Sequence, residues 1–83
     1  MTNTLRLVAF PDANGEVRNL WLFEGAHFLR GLRETIPPGL NIRDESLIEF
    51  LNSAVVGEGL VAIPILGVSN EFTLQPIRHH RVN

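Results

Sequence analysis

The chain contains no cysteine and no lysine. Without thiols, neither a disulfide staple nor a thiolate zinc site can form, and their absence fits a reducing compartment. No stretch approaches the ~20 apolar residues of a membrane-spanning helix, and the N-terminus lacks a signal-peptide pattern. A soluble, cytoplasmic protein with no membrane partner is therefore expected. A strong charge of one sign is also missing. The formal net charge is −2, which gives no broad pull toward nucleic acid or anionic lipid. All seven basic residues are arginine, which reads as compositional bias before it reads as a phosphate-binding device.

What is present suits one small folded unit. At 83 residues the chain has room for a single domain, residues 1–83. Chains of this size bury only about 60% of their unfolded surface, so stability usually needs a disulfide, a metal or a partner. The 45% apolar content argues against disorder.

The chain is organised around Asp44 to Leu66: an amphipathic run, a two-glycine break, then a wholly apolar run. Before it, Thr4 to Phe10 reads as a strand, with Leu5, Leu7 and Ala9 on one face and Arg6, Val8 and Phe10 on the other. Pro11-Asp12-Ala13-Asn14-Gly15 is a hairpin signal, with glycine taking a positive φ. Glu16 to Phe23 returns as a second strand, with Val17, Asn19, Trp21 and Phe23 assigned to one face and Arg18, Leu20 and Leu22 to the other. From Glu24 the spacing of Ala26, Leu29, Leu32 and Ile36 predicts a helix ending near Thr35, ahead of Pro37 and Pro38. Leu40 and Ile42 should pin the link that follows to the core.

A second helix is expected from Asp44, capped by Asp44 or Ser46, with Ser46 and Glu49 at capping-box spacing. Its buried stripe is Leu47, Phe50, Leu51, Ala54 and Val55, and Gly57 and Gly59 stop it. Leu60 to Leu66 has no polar side chain, so both faces of that strand should be covered. Glu71 to Ile77 is the last strand. Pro64 and Pro76 require an edge, or a proline nitrogen pointing away from its neighbour. The result is an α+β fold: a single two-layer domain in the order β-β-α-α-β-β, an antiparallel sheet with two helices on one face.

Few residues suggest chemistry. His79 and His80 are adjacent, and neighbours in a strand point to opposite faces, so they chelate poorly. Glu24 and His27, three apart on the expected helix, can touch, but no nucleophile accompanies them. Asp12-Ala13-Asn14-Gly15 has an EF-hand-like start without the later carboxylates. Gly57-Glu58-Gly59 leaves a helix, whereas phosphate loops enter one. Arg78, His79, His80 and Arg81 make a small basic tail. No catalytic residue, cofactor or metal site is assigned, and no motif supports transfer of a function from a family.

Apolar surface is in surplus, because two helices shield one sheet face while both faces carry large apolar groups. The sequence therefore points to a non-enzymatic protein-interaction module, a homo-oligomer (a dimer) that binds a further macromolecule. Trp21, Phe23, Ile63 and Ile65 are the candidate interface residues. The alternative is a small-molecule-binding protein or minor enzyme with its pocket between helices and sheet or at a subunit junction. A closed cavity reached by Glu24, His27 or Arg30 would favour that alternative. A flat apolar patch on the free face would favour a protein partner, and arginines gathered on one face would favour nucleic acid.

Overall fold

The computed structural model describes residues 4–77. Five strands build one sheet: β1 (Leu5–Pro11), β2 (Val17–Glu24), β3 (His27–Gly31), β4 (Leu60–Pro64) and β5 (Glu71–Pro76). Their spatial order is β3-β2-β1-β5-β4, and every neighbouring pair is antiparallel. The described residues contain one α-helix, α1 (Glu45–Val55), with short 3-10 turns at Arg33–Thr35 and Val56–Glu58.

The first hairpin follows its turn chemistry. Gly15 sits at φ 84°, a value that costs a residue without Cβ nothing. Asp12 Oδ1 accepts the N–H groups of Asn14 and Glu16, and so replaces backbone partners inside the loop. In one respect the strand faces differ from a plain alternation. Phe10 pairs with Asn19 and Pro11 with Val17, so Arg18 has no partner across the ladder. This bulge turns Val17 to the core side with Leu20 and Leu22; Val17 is buried rather than sharing a face with Trp21.

The helix expected over residues 24–35 is a strand instead. Gly25 takes φ 60° at the first of two turn positions joining Glu24 to His27, the place where a II′ hairpin requires glycine. Phe28 then lies opposite Phe23, and Arg30 opposite Leu22. The helical stripe gives way because Gly31 is a poor helix former and pairing gives Phe28 two aromatic neighbours, Trp21 and Phe23. Of that stripe, only Leu32 and Ile36 pack against the core, while Ala26 and Leu29 are exposed. The fold is α+β as expected, but with five strands and one helix in place of four and two.

The helix over Glu45–Val55 matches its pattern, with Leu47, Leu51 and Val55 buried, Phe50 half-buried and Ala54 exposed. Its cap differs: Asp44 holds the N-cap position in extended geometry, yet no side chain caps the helix, and Leu47 N–H bonds the Asp44 main-chain carbonyl. Leu40 is buried and Ile42 half-buried. The link they anchor is sewn to the first hairpin by Val17 N–H to Leu40 O and Ile42 N–H to Gly15 O.

One face of the sheet, called inner here, packs on α1. Leu7, Ala9, Leu20, Phe72, Leu74 and Ala62 supply its buried side chains. Fully burying each large one stabilises the fold by about 1.5–3 kcal/mol. The helix lies against β4, at one edge of the sheet. That edge is closed: Ala62 N–H donates to Asn52 Oδ1 at 2.8 Å, and Pro64, two residues along, has no N–H to offer. The expectation that both faces of this strand are covered fails, because Ile63 on the outer face is 40% exposed. Pro76 ends β5 beyond its last pairing with β1, Leu5 with Leu74.

Candidate functional site

Two features stand out, one on each face of the sheet. On the outer face, ladder pairing brings Val8 opposite Trp21, Phe10 opposite Asn19, and Phe28 opposite Phe23. Four aromatic rings from three strands therefore form one cluster. Trp21 lies at its centre, with ring centroids 4.6 Å from Phe10, 5.1 Å from Phe28 and 6.3 Å from Phe23. Tilted and edge-on contacts at such spacing suit the aromatic quadrupole. Yet Phe10, Trp21 and Phe28 are 36%, 37% and 46% exposed, because no described element covers this face.

The patch has a charged border. The Arg6 guanidinium lies 4.6 Å from the Phe23 ring centroid and bonds Glu71 at 2.6 Å. Beyond it, β5 presents Glu71, Thr73 and Gln75 on the outer face, by register with Val8, Arg6 and Val61. This polar stripe separates the aromatic cluster from Ile63 on β4. Of the four interface residues named from sequence, Trp21 and Phe23 share the cluster, Ile63 stands alone across the stripe, and Ile65 is half-buried past the end of its strand. Phe10 and Phe28 were missed as members. The signal for Phe10 was its place diagonal to Trp21 on the same face of the hairpin; Phe28 was hidden by the helical reading.

On the inner face, α1 stands over the β4 edge and leaves a cleft of about 450 Å³ along the sheet. Leucines from β1, β2, β4 and β5 line it, with Phe50 and Ala54 of the helix, and Arg30 and Glu58 reach it. It is a partly enclosed trough, intermediate between a surface groove and the closed cavity that would have favoured a pocket. Arg30 is the one member of the trio Glu24, His27 and Arg30 that contributes to it. Glu24 and His27 face each other across the β2–β3 turn and are both exposed, without an ion pair between them.

One polar group, in the first hairpin, is structural. Arg18 bonds Asp12 at 3.0 Å and lies 3.5 Å from Glu16. Desolvation pushes the Asp12 carboxyl up, but the Arg18 side chain and the N–H groups of Asn14 and Glu16 together outweigh it and hold the group below its ordinary value. The strand arginines among the described residues do not share one face: Arg6 is on the outer side, Arg30 on the inner, and Arg18 at the bulge of the first hairpin. Among the described residues there is no cluster of three metal-ligating side chains, and no helix is long and apolar enough to cross a membrane. His79, His80 and the Arg78–Arg81 tail lie outside the described residues. No protein-family model, curated protein or solved structure matches the chain.

Proposed function

We propose that the protein is a small non-enzymatic interaction module of the cytoplasm that self-associates through the outer face of its sheet and binds a further protein in that assembled form. The observation that carries this reading is the exposed four-ring cluster centred on Trp21. Large aromatic side chains in a contiguous patch with a polar rim have the composition of an interface centre. They are costly to leave in water, while the chain has no disulfide to stabilise it otherwise.

Face-to-face packing is favoured over edge pairing. The β4 edge is blocked by Asn52 and Pro64, and the β3 edge is five residues long with a bulge beside Leu29. A twofold dimer uses one self-complementary patch per subunit. Across that axis the Arg6–Glu71 border can meet its own copy, cation to carboxylate.

Light scattering at micromolar concentration tests the reading. The expected mass is that of a dimer, and Trp21→Glu should yield a folded monomer, because the side chain stands outside the core. A monomer mass for the unmodified protein, or a Trp21→Glu dimer of unchanged affinity, removes this face from the interface.

A further inference from the structure

We propose that the trough on the inner face binds a long-chain aliphatic carboxylate, with the carboxylate at Arg30 and the hydrocarbon lying across the strands toward β4. This site is on the opposite side of the sheet from the aromatic cluster, and it does not depend on the proposed self-association.

The argument begins with shape. The floor takes half-buried Leu22 from β2, Leu5 from β1 and Leu60 from β4, with buried Leu74 of β5 between the last two strands. The trough therefore runs across the strands rather than along them. Arg30 stands on β3, at one edge of the sheet, and Glu58 lies two residues before the start of β4, at the other. Five strands are separated by four spacings, so the length is about 19 Å. With a volume of about 450 Å³, a cleft of that length is narrow. It suits an extended hydrocarbon better than a compact ring system or a partner helix, whose diameter with side chains is about 10–12 Å.

Charge then sets the direction. Arg30, Arg33 and Arg43 have no ion pair among the described residues, and Arg30 is the one arginine in the lining of the trough. Its planar fork matches a carboxylate in two-point geometry. Glu58 at the far end repels the same group. One end thus accepts an anion, the other rejects it, and the wall between them is mostly apolar, with Thr35 and Ser53 as its neutral polar members. A ligand with one carboxylate and an unbranched tail satisfies all three conditions. A cationic amphiphile would have to lie in the reverse sense, with its head group at Glu58, and the trimethylammonium control tests that orientation.

Calorimetric titration with laurate, myristate and palmitate at micromolar concentration, below their micelle points, is the test. Dodecyltrimethylammonium serves as the head-group control. We expect saturable binding of one carboxylate per chain, tightening about three- to fourfold per added methylene until the trough is filled. Arg30→Ala should weaken laurate about three- to tenfold, and Arg30→Lys should recover part of the loss. Ala54→Trp should abolish binding at an unchanged melting temperature, because Ala54 is exposed on the trough wall. The proposal is overturned by the absence of saturable binding, by equal affinity for the trimethylammonium control, or by carboxylate binding that survives Ala54→Trp. It is also overturned if palmitate dissociates a dimer of the protein, which would assign the trough to a second copy.

Discussion

Trp21 and Phe10 are neighbours across the first hairpin, their ring centroids 4.6 Å apart and their planes tilted by 55°, on a face open to solvent. The indole is held by rings from β1, β2 and β3 while more than a third of Trp21 remains exposed. As the only tryptophan, it reports directly on what covers that face. Diluting the protein through its dissociation range should shift tryptophan emission to longer wavelength as the indole returns to water. Phe10→Ala should weaken association by about 1 kcal/mol or more, the cost of truncating a side chain that contributes to an interface. Emission that stays fixed while the mass halves would show that the subunit contact lies elsewhere.

Leu51 is fully buried at the centre of the α1 stripe. Leu51→Ala should cost about 2–5 kcal/mol, through lost transfer energy and the cavity left beneath the helix. Urea melts measure it. A change below about 0.5 kcal/mol would mean that the helix does not depend on this face, a result hard to reconcile with its burial.

The parts of the fold legible in the sequence are those decided by local pattern. Leu5, Leu7 and Ala9 alternate cleanly, the run from Asp12 to Gly15 is a turn on its chemistry alone, and Leu47, Leu51 and Val55 keep helical spacing. The stretch from Glu24 to Ile36 was not legible, because its apolar residues suit a helix while its partners lie on another strand. What decides it is Gly25, whose positive φ makes a two-residue hairpin, and the ladder with β2 that only tertiary structure supplies. The same gap hid the trough. With two helices the inner face would be closed; with one, Arg30 stands at the end of a partly enclosed cleft. The surplus of apolar surface was visible in Trp21 and Phe23, but its extent was not. The bulge at Arg18 carried Val17 inward, and the strand order placed β5 between Trp21 and Ile63.

Asp12 gives a pH test. Its carboxyl is held below the ordinary value, so its charged form stabilises the hairpin. That contribution is present above the unfolded-state value of about 3.9 and is lost as pH falls through the lower folded-state value. Asp12→Asn keeps an oxygen for the N–H groups of Asn14 and Glu16 but drops the charge. The wild-type advantage in Tm should be about 1–3 °C at neutral pH and should vanish in acid. An advantage that grows on acidification contradicts the assignment.

Gly15 combines two constraints. Its φ of 84° disfavours any side chain, and a Cβ there would sit 3.0 Å from Asn41 Nδ2, the amide that donates to Asn14 O. Gly15→Val, β-branched in a left-handed position, should cost at least about 1–3 kcal/mol. Gly15→Asn, which tolerates that region, should cost less. Equal stability of the two variants would remove the backbone argument and leave only the contact with Asn41.

The link between Asn52 and Ala62 joins the helix to the sheet edge. Ala62 N–H points away from β5, where an edge strand normally leaves its donor to water or to another chain. Here it donates to Asn52 Oδ1 at 2.8 Å, and the residue carrying it is buried. Asn52→Ala leaves that donor without an acceptor and should cost about 1–3 kcal/mol. Asn52→Asp, which retains the acceptor oxygen, should keep most of the stability. Hydrogen exchange separates this from a general loss of packing. In Asn52→Ala the Ala62 amide should exchange faster than its neighbours in β5, because its own protection is removed while the ladder between β4 and β5 stays intact. Uniform loss of protection through both strands would instead make Asn52 a packing residue, and the edge would then be guarded by Pro64 alone.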